Sequence, residues 1–342
     1  MRSATRRALG PAFAAAALTA LIASAAGAQT VTGAGATFPE PIYKKWFDTY
    51  HAANPSVTFN YQAKGSGTGI ALYKGGTVFF AASDAPMTNA DLAGVQPTLH
   101  IPTVAGAVVL AYNVPGIGAG MRLFGPTIAD IFEKKITRWN DPAIARDNPG
   151  ARLPASPIFV VHRADSSGTS FIFTSYLAGV SPSWKSGPGI GKSVNWPTGL
   201  GGDGNPGVAT LISHQPGAIG YVELTYALEN HVSFTSVRNR SGEYVAPSIA
   251  SVTAAAAAGA GKLKADVRAA ILDLPGRGIY PISSFTYMLV PKAPKDTAQS
   301  RALVNFLKWA MGPGQAEAPQ LFYAALPKSV VQINLHALAG VK

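Results

Sequence analysis

The chain has 342 residues, with 28 Lys or Arg against 17 Asp or Glu, and a formal net charge of +11 at pH 7. It has no cysteine, which excludes disulfides, thiol catalysis, zinc–thiolate sites and a lipid-modified N-terminal cysteine. The basic residues form no dense run interleaved with aromatics, so the charge favours attraction of small anions over nucleic-acid binding.

The first 28 residues have the pattern of a secretory signal peptide. Three arginines fall within the first seven residues, an alanine-rich apolar stretch follows, and residues 26–28 read Ala-Gly-Ala before Gln29. A transmembrane anchor is the alternative, but Pro11, the Ala/Gly-rich composition and the cleavage motif disfavour it. We therefore expect residues 1–28 to be removed, leaving a soluble periplasmic protein that is not lipid-anchored.

The early part of the mature chain alternates strands, glycine-rich turns and helices. Ile42, Trp46 and Tyr50 are spaced as one face of a helix. Residues 57–61 alternate as a strand does, and the glycine turn at 65–69 leads into a second helical segment. Repeated strand–turn–helix units of this kind predict an α/β fold.

Two apolar, buried-type strands at residues 107–113 and 285–291 lie far apart in the sequence. A second α/β unit lies between them, and the mature chain exceeds the size at which one core usually divides. We therefore predict two lobes joined by two crossing strands. The predicted boundaries are 29–107 plus 284–342 for lobe 1 and 108–283 for lobe 2.

The segment 185–207 is rich in Gly, Pro, Ser and Asn, which predicts a long surface loop. Within it, residues 199–204 match the G-x-G-x-x-G pattern of dinucleotide-binding turns. Because this match follows Trp196-Pro197 in a predicted loop rather than a strand, we interpret it as a chance match. Residues 302–311 have a helical pattern and are expected to return to lobe 1.

The strongest local signal for a ligand is the segment 163–170, which reads Arg-Ala-Asp-Ser-Ser-Gly-Thr-Ser. It follows a predicted strand at 158–161 and precedes an apolar, helix-like run. A helix N-terminus has unpaired backbone N–H groups and a partial positive charge. Ser167, Gly168 and Thr169 would therefore present donors to a tetrahedral oxyanion.

Ordinary helix capping by a serine is the alternative interpretation of this segment, because Ser/Gly/Thr turns are common. The guanidinium of Arg163 beside the carboxylate of Asp165 favours anion binding. A helix cap does not require an arginine.

Three further candidates lie outside this segment, and two of them, Thr37-Phe38 and Ser66, follow a predicted strand. Thr37-Phe38 and Ser66 would offer hydroxyl or backbone N–H donors, although turn chemistry alone could explain such residues. Asp84 would repel an anion unless that anion carries a proton to donate. A carboxylate there would select hydrogen phosphate and reject sulfate, while a turn or N-cap role is the alternative.

These segments together resemble the periplasmic phosphate-binding proteins of ABC-type phosphate transporters. The resemblance covers essentially all of the mature chain, and its motifs keep the order of that family. The matching blocks are Thr32–Pro39 (TGAGATFP), Ala82–Pro86 (ASDAP), Arg163–Ser170 (RADSSGTS), Trp196–Gly202 (WPTGLGG) and Pro216–Glu223 (PGAIGYVE).

The resemblance implies a two-lobed periplasmic-binding-protein fold of type II, with a mixed sheet flanked by helices in each lobe and a two-strand hinge. It implies high-affinity binding of inorganic phosphate between the lobes and delivery to the inner-membrane permease of an ABC transporter with its ATPase. It implies no enzymatic activity, no cofactor, no metal, no nucleic acid, and a monomer. The implied phosphate ligands are Thr37, Phe38, Ser66, Asp84, Arg163, Ser167, Gly168 and Thr169, with Asp165 orienting Arg163.

The chain departs from the family pattern at three places. Ser166 stands where the family commonly has glycine, and Gly67-Thr68 follow Ser66 where Ser-Gly-Gly is frequent. Phe79 stands where an aspartate is usual. None of these positions is an implied ligand, so we expect the departures to affect affinity rather than ligand class.

Two other functions compete with this interpretation. One is a binding protein for another oxyanion. Asp84 argues against sulfate and molybdate as that ligand, and tight enclosure between two lobes argues against phosphate esters. The other is a secreted phosphatase or hydrolase with Ser167 or Ser66 as nucleophile. The chain has no G-x-S-x-G motif and no metal-ligand spacing among its histidines. His162 is adjacent to Arg163 on a strand, so the two side chains should point to opposite faces.

Overall fold

The computed structural model describes residues 29–341. The predicted signal peptide, residues 1–28, lies outside this range. No helix within residues 29–341 is both long and apolar enough to cross a membrane.

The chain begins with a βαβαβ unit. Its elements are β1 (Gln29–Gly35), α1 (Glu40–Ala53), β2 (Val57–Ala63), α2 (Ser66–Lys74) and β3 (Phe80–Ser83). The three strands are parallel, with β1 between β2 and β3. The predicted helical face is correct, since Ile42, Trp46 and Tyr50 of α1 are buried.

A long strand and several short elements follow this unit. They are α3 (Asn89–Leu92), β4 (Thr98–Asn113), β5 (Arg122–Leu123), α4 (Gly125–Phe132) and α5 (Pro142–Asp147). The strand predicted at 107–113 is therefore only the second half of β4.

A second βαβαβ unit repeats the order of the first. It comprises β6 (Phe159–Arg163), α6 (Gly168–Val180), α7 (Pro182–Ser186), β7 (Leu200–Gly202), α8 (Gly204–His214) and β8 (Ala218–Glu223). Its strands are again parallel, with β6 between β7 and β8.

The remaining elements complete the sheets and cover them. They are α9 (Leu224–Glu229), β9 (Ser233–Phe234), β10 (Ser236–Arg238), β11 (Tyr244–Val245), α10 (Ile249–Gly259), β12 (Ser283–Pro291), α11 (Thr297–Ala310) and α12 (Lys328–Ala339). A small separate sheet contains β11, β10 and β5.

The main sheet has the strand order β2-β1-β3-β12-β4-β8-β6-β7, and β9 also pairs with β4. Strand β4 changes partner midway: residues 98–107 pair antiparallel with β12, and residues 108–113 pair antiparallel with β8. We call β2, β1, β3, β12 and β4 up to residue 107 the first sheet half. The second sheet half consists of β4 from residue 108 together with β8, β6 and β7. Each half has three parallel strands followed by an antiparallel one, which confirms the predicted mixed α/β architecture. The lobe boundaries proposed from the sequence remain a proposal.

The predicted surface loop at 185–207 is wrong in part. Residues 200–202 form β7 and residues 204–214 form α8. The glycines that suggested a loop instead permit close packing: a Cβ at Gly202 would collide with the backbone of Gly207 and Val208. The G-x-G-x-x-G match runs through β7 rather than following a strand.

Parallel strands bring their carboxyl ends to one edge of a sheet, and ligands of open α/β sheets bind outside that edge. The segments after β1, β2 and β3 in the first half, and after β6, β7 and β8 in the second, are therefore positioned to meet. The segments at β1, β2, β3 and β6 carry the predicted ligands.

The predicted return of the C-terminal helix is correct, since α11 packs on the first sheet half. Phe306 of α11 is fully buried, with its ring centroid 4.6 Å from that of Phe59 and 5.1 Å from that of Phe47. This aromatic cluster joins α11 to α1 and β2.

Replacing Phe306 by alanine is expected to lower the free energy of unfolding by about 3–5 kcal/mol, because it leaves a cavity in this cluster. The control is Phe159→Ala, whose side chain belongs to a residue 45% exposed. The control should cost less than about 1 kcal/mol. Denaturant titration measures both, and equal losses would contradict the packing described.

Candidate functional site

The first sheet half contributes three buried polar residues, each following a parallel strand. Thr37 lies after β1, Ser66 begins α2 after β2, and Asp84 follows β3 directly. Their exposed fractions are 4%, 0% and 2%. The βαβαβ unit thus places three predicted residues at one sheet edge.

The second sheet half contributes a buried guanidinium. Arg163 is the last residue of β6, and its Nε and Nη2 each donate to a carboxylate oxygen of Asp165 at 2.6 Å. Its Nη1 donates to Thr169 Oγ1 at 3.1 Å. Asp165 therefore holds the guanidinium in one orientation, and Arg163 is only 3% exposed.

The N-terminus of α6 lies beside this arginine. Ser167 caps the helix, since its Oγ accepts a hydrogen bond from Ser170 N at 3.1 Å. Ser167 therefore caps the helix, as the alternative interpretation predicts. Because its oxygen is the acceptor in that bond, the hydroxyl proton of Ser167 remains available to a ligand.

The two sheet halves meet at Gly168. A Cβ at this position would collide with Ser66 Oγ and with Asp84 Oδ2 from the first half. Nearby, Gly67 N donates to Ser166 O at 2.8 Å. Only a residue without a side chain permits this approach, so Gly168 is a steric requirement as well as a backbone donor.

Ser166, where the resembled family commonly has glycine, lies at this junction. Its Oγ occupies the space that a side chain at Gly67 would need. Two of the departures from the family pattern, the serine at position 166 and the glycine at position 67, therefore compensate each other sterically.

Several backbone donors at this junction have no acceptor in the part of the chain that the structure describes. They are the N–H groups of Phe38, Gly168 and Thr169. The last two belong to the first turn of α6, where the helix dipole adds partial positive charge. Together with Arg163, they form an enclosed set of donors suited to an oxyanion.

Asp84 is the acidic member of the site. Its Oδ1 accepts a hydrogen bond from Thr286 Oγ1 at 2.7 Å, and its backbone N–H donates to Ser66 Oγ at 3.2 Å. Burial raises the pKa of Asp84 to about 7, although the Thr286 hydrogen bond and the charge of Arg163 lower it. Asp84 is therefore poised to change protonation near neutral pH.

The sequence did not single out several residues that contact the predicted ligands, among them Thr286, described above. Asn205, in the first turn of α8, donates through Nδ2 to Thr37 Oγ1 at 2.9 Å and to Thr169 Oγ1 at 3.2 Å. Tyr226 OH donates to Thr37 O, and Tyr323 OH donates to Phe38 O, each at 2.6 Å. The repeated strand–glycine–helix pattern at 200–207 was the available signal for Asn205.

A cavity of about 540 Å³ opens beside this set of residues. Thr37 and Asp165 line it, and Lys64 and Glu40 lie at its wall. It provides a solvent-facing mouth next to the enclosed donors.

The structure also bears on the hydrolase alternative. The His162 ring stacks on Trp196, with centroids 4.9 Å apart, and its Nδ1 lies 3.0 Å from Arg163 O. Within residues 29–341, no group of three or more His, Cys, Asp or Glu residues is placed to hold a metal ion.

Comparisons with known proteins place this architecture in a family. A family model described as the PBP superfamily domain matches residues 22–313. The phosphate-binding protein PstS of Xylella fastidiosa (strain Temecula1) is 43% identical over 305 residues, covering 88% of this chain and 83% of that protein. PstS of Pasteurella multocida (strain Pm70) is 42% identical over 306 residues, covering 89% and 88%.

Solved structures show the same fold. A high-affinity periplasmic phosphate-binding protein (PfluDING) bound with phosphate superposes with a TM-score of 0.72 at 21% identity, covering 89% of this chain and 92% of that one. A phosphate-binding protein from Stenotrophomonas maltophilia gives a TM-score of 0.68 at 22% identity, covering 90% and 94%. These likenesses confirm the predicted two-lobed periplasmic-binding-protein fold.

With a family model over most of its length and PstS relatives above 40% identity, the chain belongs to the PBP superfamily and, within it, to the family of phosphate-binding proteins PstS.

Proposed function

We propose that this protein binds inorganic phosphate with high affinity in the periplasm and delivers it to the inner-membrane permease of an ABC transporter. The observation that carries the proposal is the meeting of Arg163 and the α6 N-terminus with Ser66 and Asp84 across the two sheet halves. Its relatives are named phosphate-binding proteins, and the family is one of substrate-binding proteins. The protein is a binding protein and not an enzyme.

The proposed ligands divide into two groups with different tasks. Arg163 and the donors at the α6 N-terminus attract any small oxyanion, because they present charge and N–H groups without regard to its protons. Asp84 supplies the selectivity, because a buried carboxylate can accept a hydrogen bond from the P–OH group of hydrogen phosphate and repels a fully ionised anion. The proposed site comprises Thr37, Phe38, Ser66, Asp84, Arg163, Ser167, Gly168 and Thr169, supported by Asp165.

The proposed lobes, 29–107 plus 284–342 and 108–283, would close on phosphate by a hinge motion. The change of β4 partners after residue 107 supports a hinge at this point. The closed form would be what the permease and its ATPase recognise, with the protein acting as a monomer. The periplasmic location follows from the predicted signal peptide, residues 1–28.

Calorimetric titration of phosphate-stripped protein tests the proposal. Phosphate should bind tightly with one site per chain, and sulfate should bind far more weakly. A chromogenic phosphate ester, assayed alongside, should not be hydrolysed. Preference for sulfate, or turnover that disappears in Ser167→Ala, would contradict the proposed function.

The protonation of Asp84 gives a pH-dependent prediction for sulfate, which has no proton to give. Below its pKa of about 7, Asp84 carries its own proton and can donate to sulfate; above it, the carboxylate repels sulfate. Sulfate affinity should fall about tenfold from pH 5 to pH 8, since one unit above the pKa leaves about a tenth of the carboxyl protonated.

The control is Asp84→Asn, whose amide can donate at every pH. Its sulfate affinity should be insensitive to pH over this range, and its preference for phosphate should be reduced. Parallel pH profiles for the two proteins, measured by the same titration, would show that Asp84 does not discriminate.

Arg163→Met should cost more affinity than the loss of any one hydroxyl. Breaking a buried charge pair costs several kcal/mol, so phosphate affinity should fall on the order of a thousandfold. Ser66→Ala removes one donor to a charged ligand and should cost about 10- to 100-fold. Similar losses in the two variants, each checked for folding by circular dichroism, would contradict this ranking.

A further inference from the structure

We infer that Asn205 is a positioning residue that turns the hydroxyl protons of Thr37 and Thr169 toward the bound anion. This inference rests on the proposed function and extends it to a residue outside the proposed ligand set. Asn205 is fully buried and lies in the first turn of α8, at the carboxyl end of β7.

The orientation of the Asn205 amide is determined by its surroundings. Its Oδ1 accepts a hydrogen bond from the backbone N–H of Glu223 at 3.0 Å. The opposite orientation would place an NH₂ group against an N–H donor, so the amide nitrogen must face the site. Both N–H bonds of that nitrogen are then used, one on each threonine hydroxyl.

The threonine hydroxyls have their acceptor capacity filled. A hydroxyl oxygen has two lone pairs and one proton. Thr37 Oγ1 accepts from Asn205 Nδ2 at 2.9 Å and from Asn205 N at 3.1 Å. Thr169 Oγ1 accepts from Asn205 Nδ2 at 3.2 Å and from Arg163 Nη1 at 3.1 Å.

Each hydroxyl can therefore interact with a ligand only by donating its proton. A freely rotating hydroxyl could present a lone pair to an anion, which is repulsive. Asn205 removes that option at both threonines, so the site offers donors everywhere except at Asp84. The arrangement suits a ligand whose oxygens are acceptors and which carries one proton for the carboxylate.

The same amide also links the two sheet halves. Thr37 follows β1 of the first half, whereas Thr169 and Asn205 follow β6 and β7 of the second. The bond to Thr37 exists only while the halves are together. Alignment of the Thr37 proton is thereby coupled to closure.

Replacing Asn205 by aspartate tests the inference, because the shape is kept while the donor becomes an acceptor. At pH 8 the carboxylate would draw both hydroxyl protons toward itself, and phosphate affinity should fall by about 100-fold or more, as for two lost charged hydrogen bonds. Burial raises the pKa of such a carboxyl, so at pH 5 it is protonated and its single O–H can donate to one of the two hydroxyls. The ratio of wild-type to variant affinity should then shrink at least about tenfold.

The ratio cancels the titration of phosphate and of groups that both proteins share. The charged or titratable groups around Asn205 and the threonines that it contacts are Glu40, Arg163, Asp165, Asp203, Glu223, Tyr226 and Tyr323. Asn239→Asp is the matched control, since Asn239 is 5% exposed and lies between β10 and β11, away from the site. Its affinity ratio to wild type should stay near one at both pH values.

The outcomes separate the two claims. Failure of the wild-type protein to bind phosphate overturns the proposed function. Normal wild-type binding with an Asn205→Asp ratio near one, or with a large ratio that does not change with pH, overturns the inference. The pH-dependent recovery is the result that a merely structural role of Asn205 would not produce.

A double-mutant cycle covers the case in which Asn205→Asp does not fold. Asn205→Ala and Thr37→Val should have non-additive effects on phosphate affinity, because the amide acts partly through that hydroxyl. Additive losses would overturn the inference as well.

Discussion

The buried ion pair of Arg163 and Asp165 is the interaction on which the rest of the site depends. A guanidinium 3% exposed requires a partner, and the two 2.6 Å bonds from Asp165 supply it. That pairing offsets part of the arginine's charge within the protein. At the proposed site, the guanidinium would therefore act together with the uncharged donors of the helix ends and hydroxyls. Their precise direction matters more than it would beside an unpaired cation.

The reliance on uncharged donors also accounts for the enclosure of the site. Neutral donors act strongly only where water is excluded, because the low local dielectric strengthens each hydrogen bond. The close approach of Gly168 to Ser66 and Asp84 provides this exclusion. It also accounts for the raised pKa of Asp84, since burial disfavours the charged carboxylate. In the proposed site, the strength of anion binding and the proton-dependent selectivity would thus both follow from enclosure.

The sequence was informative wherever short-range turn and capping residues determine the local structure. The strand–turn–helix segments around Thr37, Ser66 and Arg163 carry recognisable turn and capping residues, so their positions could be predicted. Contacts that join distant segments could not be predicted. Tyr323 reaches Phe38 across 285 positions of sequence, and Thr286 reaches Asp84 across 202. Asn205 was obscured because glycine-rich composition suggested a loop where β7 and α8 form.

The two sheet halves repeat one topology but are not chemically equivalent. Both have a buried carboxyl at the end of the third parallel strand, Asp84 after β3 and Glu223 at the end of β8. Glu223 Oε2 accepts from Thr225 N at 2.8 Å, while its Oε1 has no partner within the described residues. Burial raises the pKa of Glu223 well above its usual range.

The surroundings of these two carboxyls differ, which distinguishes the two halves of the proposed site. Glu223 faces the hydroxyl of Tyr323 at 3.3 Å, and Tyr323 in turn holds the carbonyl of Phe38. In a trans peptide the C=O and N–H groups point in opposite directions, so the bond from Tyr226 to the Thr37 carbonyl limits how the peptide that carries the Phe38 N–H can turn. The Phe38 carbonyl precedes Pro39, so the bond from Tyr323 fixes a peptide that has no N–H. The second half therefore keeps its carboxyl among internal contacts with Thr225 and Tyr323, whereas the first half presents the equivalent carboxyl to the proposed anion site.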